Sequence, residues 1–347
     1  MSFESINKPS IPNPPVFRRK PITGTSEGLV KMSPALADKT LPLSIQPTLR
    51  GIDPAAWAHD NVELIESLLQ KHGALIFQNF DINSVEDFQN FTAAVSGDKL
   101  MQYTERSSPR HEVKGFIYTS TDYPADQAIF PHNEHSYSLS WPMKLYLCCE
   151  TPPLKGGETP IGDCRRILQR IPAKTRDKFA EKGWMYVRNF GDGFGLPWQT
   201  AFNTTDTQKV EEYCRSHDIQ FHWKSGNRLR TTQVRPALAT HPVTGEEVWF
   251  NHATFFHITT LDRNLQQALR AGFKEEDLPN NTYYGDGTPI DDEVAESLRQ
   301  AYMQEMVKLP WNKGDLLIVD NMLVSHSRSP YEGPRKILFA MAEPYTR

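Results

Sequence analysis

The sequence predicts a mainly β protein with flanking helices: a sandwich, jelly roll or barrel that carries a helical insertion. Two observations point there. From Gly115 onward short apolar strands dominate, namely "FIYTSTDY", "KLYLCCE", "WMYVRNF", "VWFNHATFF", "LLIVD" and "KILFAMA", with glycine and proline turns between them. Helical periodicity is confined to a few segments before and among those strands.

The elements follow in order. Residues 1 to about 45 are rich in Pro, Ser and Lys with weak periodicity, and read as an arm wrapped on the surface. Residues 46–347 read as one domain, interrupted by an insertion at about 165–310. "NVELIESLLQKHG" reads as a helix with Val62, Ile65, Leu68 and Leu69 on one face and Gly73 as its stop. "ALIFQNF" is a buried strand. "SVEDFQNFTAAVSG" is a second helix, opened by a capping Ser84 and closed by Gly97. Two further helices interrupt the strands. One is "DTQKVEEYCRSH"; the other runs from about Asp291 to Leu309, with Val294, Leu298, Ala301, Tyr302 and Met306 on one face.

Composition narrows the function. Of 347 residues, 38% are hydrophobic and 11% aromatic, enough for a sizeable core and too many for a disordered chain. The formal net charge is -4 and no basic cluster stands out, so neither nucleic acid nor an anionic membrane is an expected partner. No run approaches a membrane span, and the N-terminus has neither the basic nor the apolar region of a signal peptide. Cys148, Cys149, Cys164 and Cys214 form no C-x-x-C pair and no disulfide framework; a reducing cytoplasm is the expected home.

The chemistry concentrates in "IFPHNEHSYSLSWP". On a strand His132 and Glu134 share a face while Asn133 points away. An imidazole and a carboxylate side by side make two ligands for a divalent metal, and a histidine from another strand would complete a three-ligand face with open positions. Alone, H-x-E is more often a surface or hydrogen-bonded pair. His135 is expected on the opposite face from Glu134, at the surface or orienting a neighbour. Near the C-terminus, "GDLLIVDNMLVSHSRSPYEGPRKILFAMAEPY" reads as strand, loop, His326, tight connection and strand. Such a hairpin brings His326 and Arg335 to one end of a barrel. Arg335 suits a carboxylate of a small diacid, or else pairs with Glu332 or Glu343.

Over the span from about Tyr103 to Tyr345 the chain resembles the taurine catabolism dioxygenase family of Fe(II)/2-oxoglutarate-dependent oxygenases, in the branch of syringomycin-biosynthesis-enzyme-like proteins. The stretches that carry the resemblance are "YTERSSPR", "IYTSTDYP", "PHNEHSYSLSWP", "GGETPIGDCR", "GWMYVRNF", "HPVTGEEVWFN" and "GDLLIVDNMLVSHSRSPYEGPRK". It implies a double-stranded β-helix (jelly-roll) core, with His132, Glu134 and His326 as iron ligands. It also implies Arg335 as the partner of the distal carboxylate of 2-oxoglutarate, and Thr159 as a hydroxyl bonded to that co-substrate. Read without the resemblance, Thr159 is a turn residue before Pro160. Related halogenases lack the carboxylate ligand; Glu134 leaves halide no vacancy. The implied reaction consumes O2, decarboxylates 2-oxoglutarate to succinate, and hydroxylates an unactivated C–H bond, with desaturation, epoxidation or cyclisation as other outcomes of the same site.

The branch points to an amino acid or aminoacyl substrate in secondary metabolism, free or tethered to a carrier protein. Tyr103, Arg106, Arg110, Asn133 and Asn251 are the candidate substrate contacts, with Arg228 and Arg230 as a second arginine pair for a carboxylate or a phosphopantetheine phosphate. Phe339, Trp249, Phe250 and Phe255 are candidates for an apolar lining. His252 stands where the family pattern suggests glutamine, and reads as a hydrogen-bonded core or pocket residue rather than a fourth ligand. Two other classes compete: a non-catalytic jelly-roll protein that senses or binds metal, and a zinc hydrolase. Neither explains a co-substrate clamp of Arg335 and Thr159.

Overall fold

A computed structural model of the protein describes residues 28–102, 110–191, 193 and 195–347. Its frame is an eight-stranded sheet. In spatial order the strands are Val30–Pro34, Leu43–Pro47, Ala74–Phe77, Leu316–Asp320, Ser140–Thr151, Lys336–Thr346, Ile117–Thr119 and Glu112–Lys114. A smaller sheet of Ile129–His132, Val324–Arg328 and Ile161–Asp163 completes the jelly roll.

Ser140–Thr151 shows how the sequence builds two layers from one strand. Side chains alternate across a sheet. Leu145, Leu147 and Cys149 therefore join Leu317, Val319, Phe339 and Val324 in the core between the sheets. Tyr146 and Cys148 face the other way, into a core with Leu75, Phe77, Ile318 and Leu338. Helices Pro54–Asp60, Val62–His72 and Val85–Ser96 cover that second face through Trp57, Ile65, Leu69, Phe88 and Phe91. Ser84 and Asp87 form a reciprocal capping box at the start of the third of these helices. All four cysteines are buried and none is in a disulfide.

Three expectations change here. Part of the expected arm is sheet: Val30–Pro34 pairs with Leu43–Pro47, which runs parallel to Ala74–Phe77. Its weak periodicity reflects an edge strand with one half-buried and four exposed residues. The insertion is not purely helical. "WMYVRNF" lies in a separate four-stranded antiparallel sheet, Gln220–Lys224, Arg228–Arg235, Trp184–Phe190 and Asn280–Tyr284. "VWFNHATFF" stops being a strand at Trp249. Asn251 ends it by donating to Ala237 O at 2.8 Å and accepting from Ala253 N at 2.9 Å, so its side chain closes a turn.

Gly73 links the helical layer to the smaller sheet. It caps Val62–His72 in the left-handed region at φ 74°. A Cβ there would stand 2.5 Å from Val324 Cγ2, on the strand that carries His326. Gly73→Ala adds backbone strain and overpacking. Urea denaturation is expected to show a loss of about 1–3 kcal/mol with an unchanged m-value.

Candidate active site

Strand pairing brings the two histidines together. In the antiparallel ladder His132 and His326 are direct partners, and their ring centroids are 4.4 Å apart. His132 ends its strand and Glu134 lies in the turn that follows. The carboxylate thus reaches the histidines from a turn, not from the shared strand face that alternation suggests. The same turn corrects His135. Its φ of 58° swings the ring back, so that Nε2 is 3.9 Å from Glu134 Oε1 instead of on the opposite face.

Two asparagines hold that turn. Asn321 Oδ1 accepts from Glu134 N at 2.8 Å, and its Nδ2 donates to Glu134 O and to Pro142 O, both at 2.8 Å. Asn133 is completely buried and donates to Asn321 O at 2.6 Å and Val324 O at 3.2 Å. It is therefore a tie between chain segments rather than a substrate contact, and Asn251 is likewise committed to its turn. Tyr103 and Arg106 lie outside the described residues.

His132, Glu134 and His326 each offer a ligand atom, and these atoms lie within 4.8 Å of one another. Glu134 Oε2 and His326 Nε2 are 3.9 Å apart, too far for a hydrogen bond. Phe130 O can only accept, so the 2.9 Å contact from His132 Nδ1 fixes the proton on that nitrogen and leaves Nε2 as a lone-pair donor. Burial holds His132 and His326 below the usual histidine range, in the neutral form that binds metals. Burial pulls Glu134 upward, but the Arg110 guanidinium beside it outweighs that and holds it at about 2. Two neutral imidazoles and an ionised carboxylate converge without bonding one another, which is a donor set that fits a divalent ion.

The cavity beside this triad extends past Leu147 and Phe339 to Arg335, Thr159 and Ser120. Arg335 donates to Gly157 O at 2.8 Å, Ser120 Oγ at 3.2 Å and Thr159 Oγ1 at 3.5 Å. All three acceptors are neutral. Glu332 pairs instead with Lys155 at 3.0 Å and Glu343 with Lys144 at 2.6 Å, so neither expected carboxylate neutralises it. Burial lowers Arg335 to about 10, the nearby Arg328 adding to the effect. The guanidinium nevertheless stays charged at neutral pH, and among the described residues lining its cavity there is no carboxylate. Gly157 makes this approach possible: a Cβ there would stand 3.1 Å from Arg335 Cδ. Trp311 Nε1 donates to Thr159 Oγ1 at 3.1 Å. With Trp311 and Arg335 on its acceptor sites, the Thr159 hydroxyl keeps its proton for another partner.

Other expected contacts fall elsewhere. Arg110 does not overhang the mouth; its Nη2 donates to Glu134 Oε2 at 2.7 Å. Arg228 and Arg230 are on the insertion's own sheet, bonded to Ser225 O and Glu276 O. Of the aromatic candidates, Phe339 lines the cavity and the Phe255 ring is tilted against His132 with centroids 4.8 Å apart. Trp249 and Phe250 are plain core, packed on Phe179 and Trp141. His252 bonds Ser136 Oγ at 2.6 Å and is no part of the ligand set. Ser120, Trp311 and Asn321 gave no signal in the sequence, because a lone serine, tryptophan or asparagine has no spacing to betray it.

Asn321→Ala would orphan three backbone groups around Glu134. It is expected to cost at least about 2 kcal/mol and to weaken divalent-metal binding. Asn251→Ala, which removes none of the bonds that hold Glu134, should lower stability with a smaller loss of metal affinity than Asn321→Ala; chemical denaturation and equilibrium dialysis separate the two.

Comparison with known proteins agrees with this architecture. The protein-family model "Taurine catabolism dioxygenase TauD, TfdA family" matches residues 37–341. The chain is 40% identical over 280 residues to the dapdiamide synthesis protein DdaC of Enterobacter agglomerans, covering 81% of this chain and 85% of that one. It is 29% identical over 289 residues to a clavaminate synthase-like protein of Arabidopsis thaliana, covering 80% and 84%. Among solved structures, PvcB of Pseudomonas aeruginosa superposes with a TM-score of 0.55 at 13% identity, covering 92% of each chain. AAD-2, solved with Mn(II) and N-oxalylglycine, superposes with a TM-score of 0.52 at 14% identity, covering 90% and 96%. The chain belongs to the taurine catabolism dioxygenase (TauD, TfdA) family and is an Fe(II)- and 2-oxoglutarate-dependent oxygenase.

Proposed function

We propose that His132, Glu134 and His326 hold the iron, that Arg335 and Thr159 hold the distal carboxylate of 2-oxoglutarate, and that the enzyme hydroxylates an unactivated C–H bond of an amino acid or aminoacyl group in secondary metabolism. The observation that carries this reading is Arg335. It is a half-buried cation whose hydrogen-bond partners among the described residues are three neutral oxygens, and its cavity also contains His132 and His326. An anionic ligand in that cavity would give it a charged partner.

Iron bound by this triad would supply the activation of O2 coupled to decarboxylation of the co-substrate. The chain's residues supply placement. Arg335 offers a fixed guanidinium fork to one end of the diacid, Thr159 offers its remaining proton, and Ser120 holds the fork in plane. Leu147 and Phe339 form dry walls between that end and the triad. The length of the diacid then carries its 2-oxo acid end toward His132 and His326. Glu134 occupies the position a halide would need, which favours hydroxylation. The amino-acid-derived substrate, whether free or presented by a carrier protein, rests on the 40% identity to a protein named for dapdiamide synthesis. A cytoplasmic location is supported by four cysteines that are all buried and form no disulfide. Among the described residues no helix is long and apolar enough to cross a membrane.

Anaerobic visible absorption tests the site. A weak charge-transfer band should appear only with both Fe(II) and 2-oxoglutarate, and be missing in His132→Ala. Arg335→Met should keep iron binding but raise the 2-oxoglutarate Kd by roughly thirtyfold or more, the cost of one unpaired buried charge. Folded, iron-loaded protein without a band would overturn the assignment. Succinate release against amino acids and their carrier thioesters then identifies the substrate.

A further inference from the structure

Resting on that assignment of the triad, we infer that Arg110 is a positioning residue that keeps Glu134 bound to the metal through a single oxygen. Arg110 is held from two directions. Its Nη2 donates to Glu134 Oε2 at 2.7 Å, with both side chains only 3% exposed. Its guanidinium carbon lies 3.9 Å above the centre of the Phe339 ring, a wall of the same cavity. A charge-assisted bond in such a dry place is short and directional, and the planar guanidinium resists rotation when stacked on an aromatic face.

The need for this bond follows from counting positions. A carboxylate has two oxygens and can grip a cation with both. A facial triad works because it leaves three of six positions open. A 2-oxo acid chelate takes two of these, and O2 needs the third. A Glu134 that chelated would remove one of them. Oε2 faces His326 Nε2 at 3.9 Å while Oε1 faces His135, so the Arg110 bond to Oε2 fixes the carboxylate with one oxygen toward the ligand set and the other turned away from it. The opposite edge of the carboxylate does not compete: His135 Nε2 stays 3.9 Å from Oε1, beyond hydrogen-bonding distance.

Arg110 and Arg335 line one cavity but differ in role. Arg335 has only neutral partners and awaits an anion. Arg110 already has its anion, and a substrate carboxylate could claim it only by leaving Glu134 buried beside an empty place. The bond also draws electron density from the carboxylate, which lowers its donor strength toward the metal. Charge transfer from iron to a bound 2-oxo acid then needs more energy with Arg110 present than without it.

The test uses Arg110→Met, which keeps a stem over Phe339 without the donor, and Arg110→Lys, which restores one charged donor. Fe(II) binding is read by equilibrium dialysis, and 2-oxoglutarate binding by anaerobic titration of the visible band. In Arg110→Met, iron affinity should hold within about threefold, while 2-oxoglutarate affinity falls about tenfold or more and the band moves to lower energy. Arg110→Lys should recover most of both effects. An Arg110→Met protein with the wild-type band and 2-oxoglutarate affinity overturns the inference. So does an equal loss in the Met and Lys variants, which marks packing alone. Should Arg110→Met not fold, Arg110→Lys is set against Arg110→Gln, and the same band position in both overturns it. A wild-type protein without any band fails the triad assignment itself and is recognised before either variant is made.

Discussion

The site depends on one strand pairing. Ile129–His132 lies against Val324–Arg328 with His132 opposite His326. Side chains alternate along a strand, so a slip of one residue would turn His326 to the other face and remove it from the cavity. The register is secured on both sides. Ile161 pairs with His326 from the third strand, and Asn133 and Asn321 bind segments 188 residues apart. The frame therefore places two imidazoles by backbone geometry and leaves only Glu134 to be placed by a turn. That turn is where the polar ties are densest.

The cavity separates two kinds of buried charge. At one end Glu134 is balanced by Arg110 and enclosed by histidines, a cluster that closes its own account of charge before any ligand arrives. At the other end Arg335 meets only neutral oxygens. Desolvating a charge is costly even when it is half-buried, and the chain tolerates that cost at the wall of the cavity. Gly157 and Trp311 serve that tolerance, the first by giving the guanidinium room and the second by turning the Thr159 hydroxyl outward.

Much of this was legible in the sequence, and the illegible part has a common cause. Val62–His72, Val85–Ser96 and Thr207–Ser216 were readable because amphipathic spacing and capping residues are local signals. The jelly-roll core and the triad were readable from motif order and the family resemblance. Glu134 was predicted near His132 by strand alternation, yet a turn delivers it. Asn133, Asn251 and Arg110 were misjudged because a polar residue near a site looks the same in sequence whether it meets substrate or holds backbone. Only the fold shows that Asn133 faces Asn321 and Arg110 faces Glu134. Trp249 and Phe250 were misjudged for the same reason, since an aromatic strand does not reveal which wall it forms.

The long separation between His132 and His326 also orders the protein's biogenesis. Synthesis proceeds from the N-terminus, and pairing between distant segments is completed late. The main sheet lacks Leu316–Asp320 and Lys336–Thr346 until the end of the chain appears, and Val324–Arg328 carries His326. A nascent chain holding only His132 and Glu134 has two of the three converging side chains and no Arg335 at the far end of the cavity. The polypeptide is thus nearly whole before its cluster of His132, Glu134 and His326 can assemble.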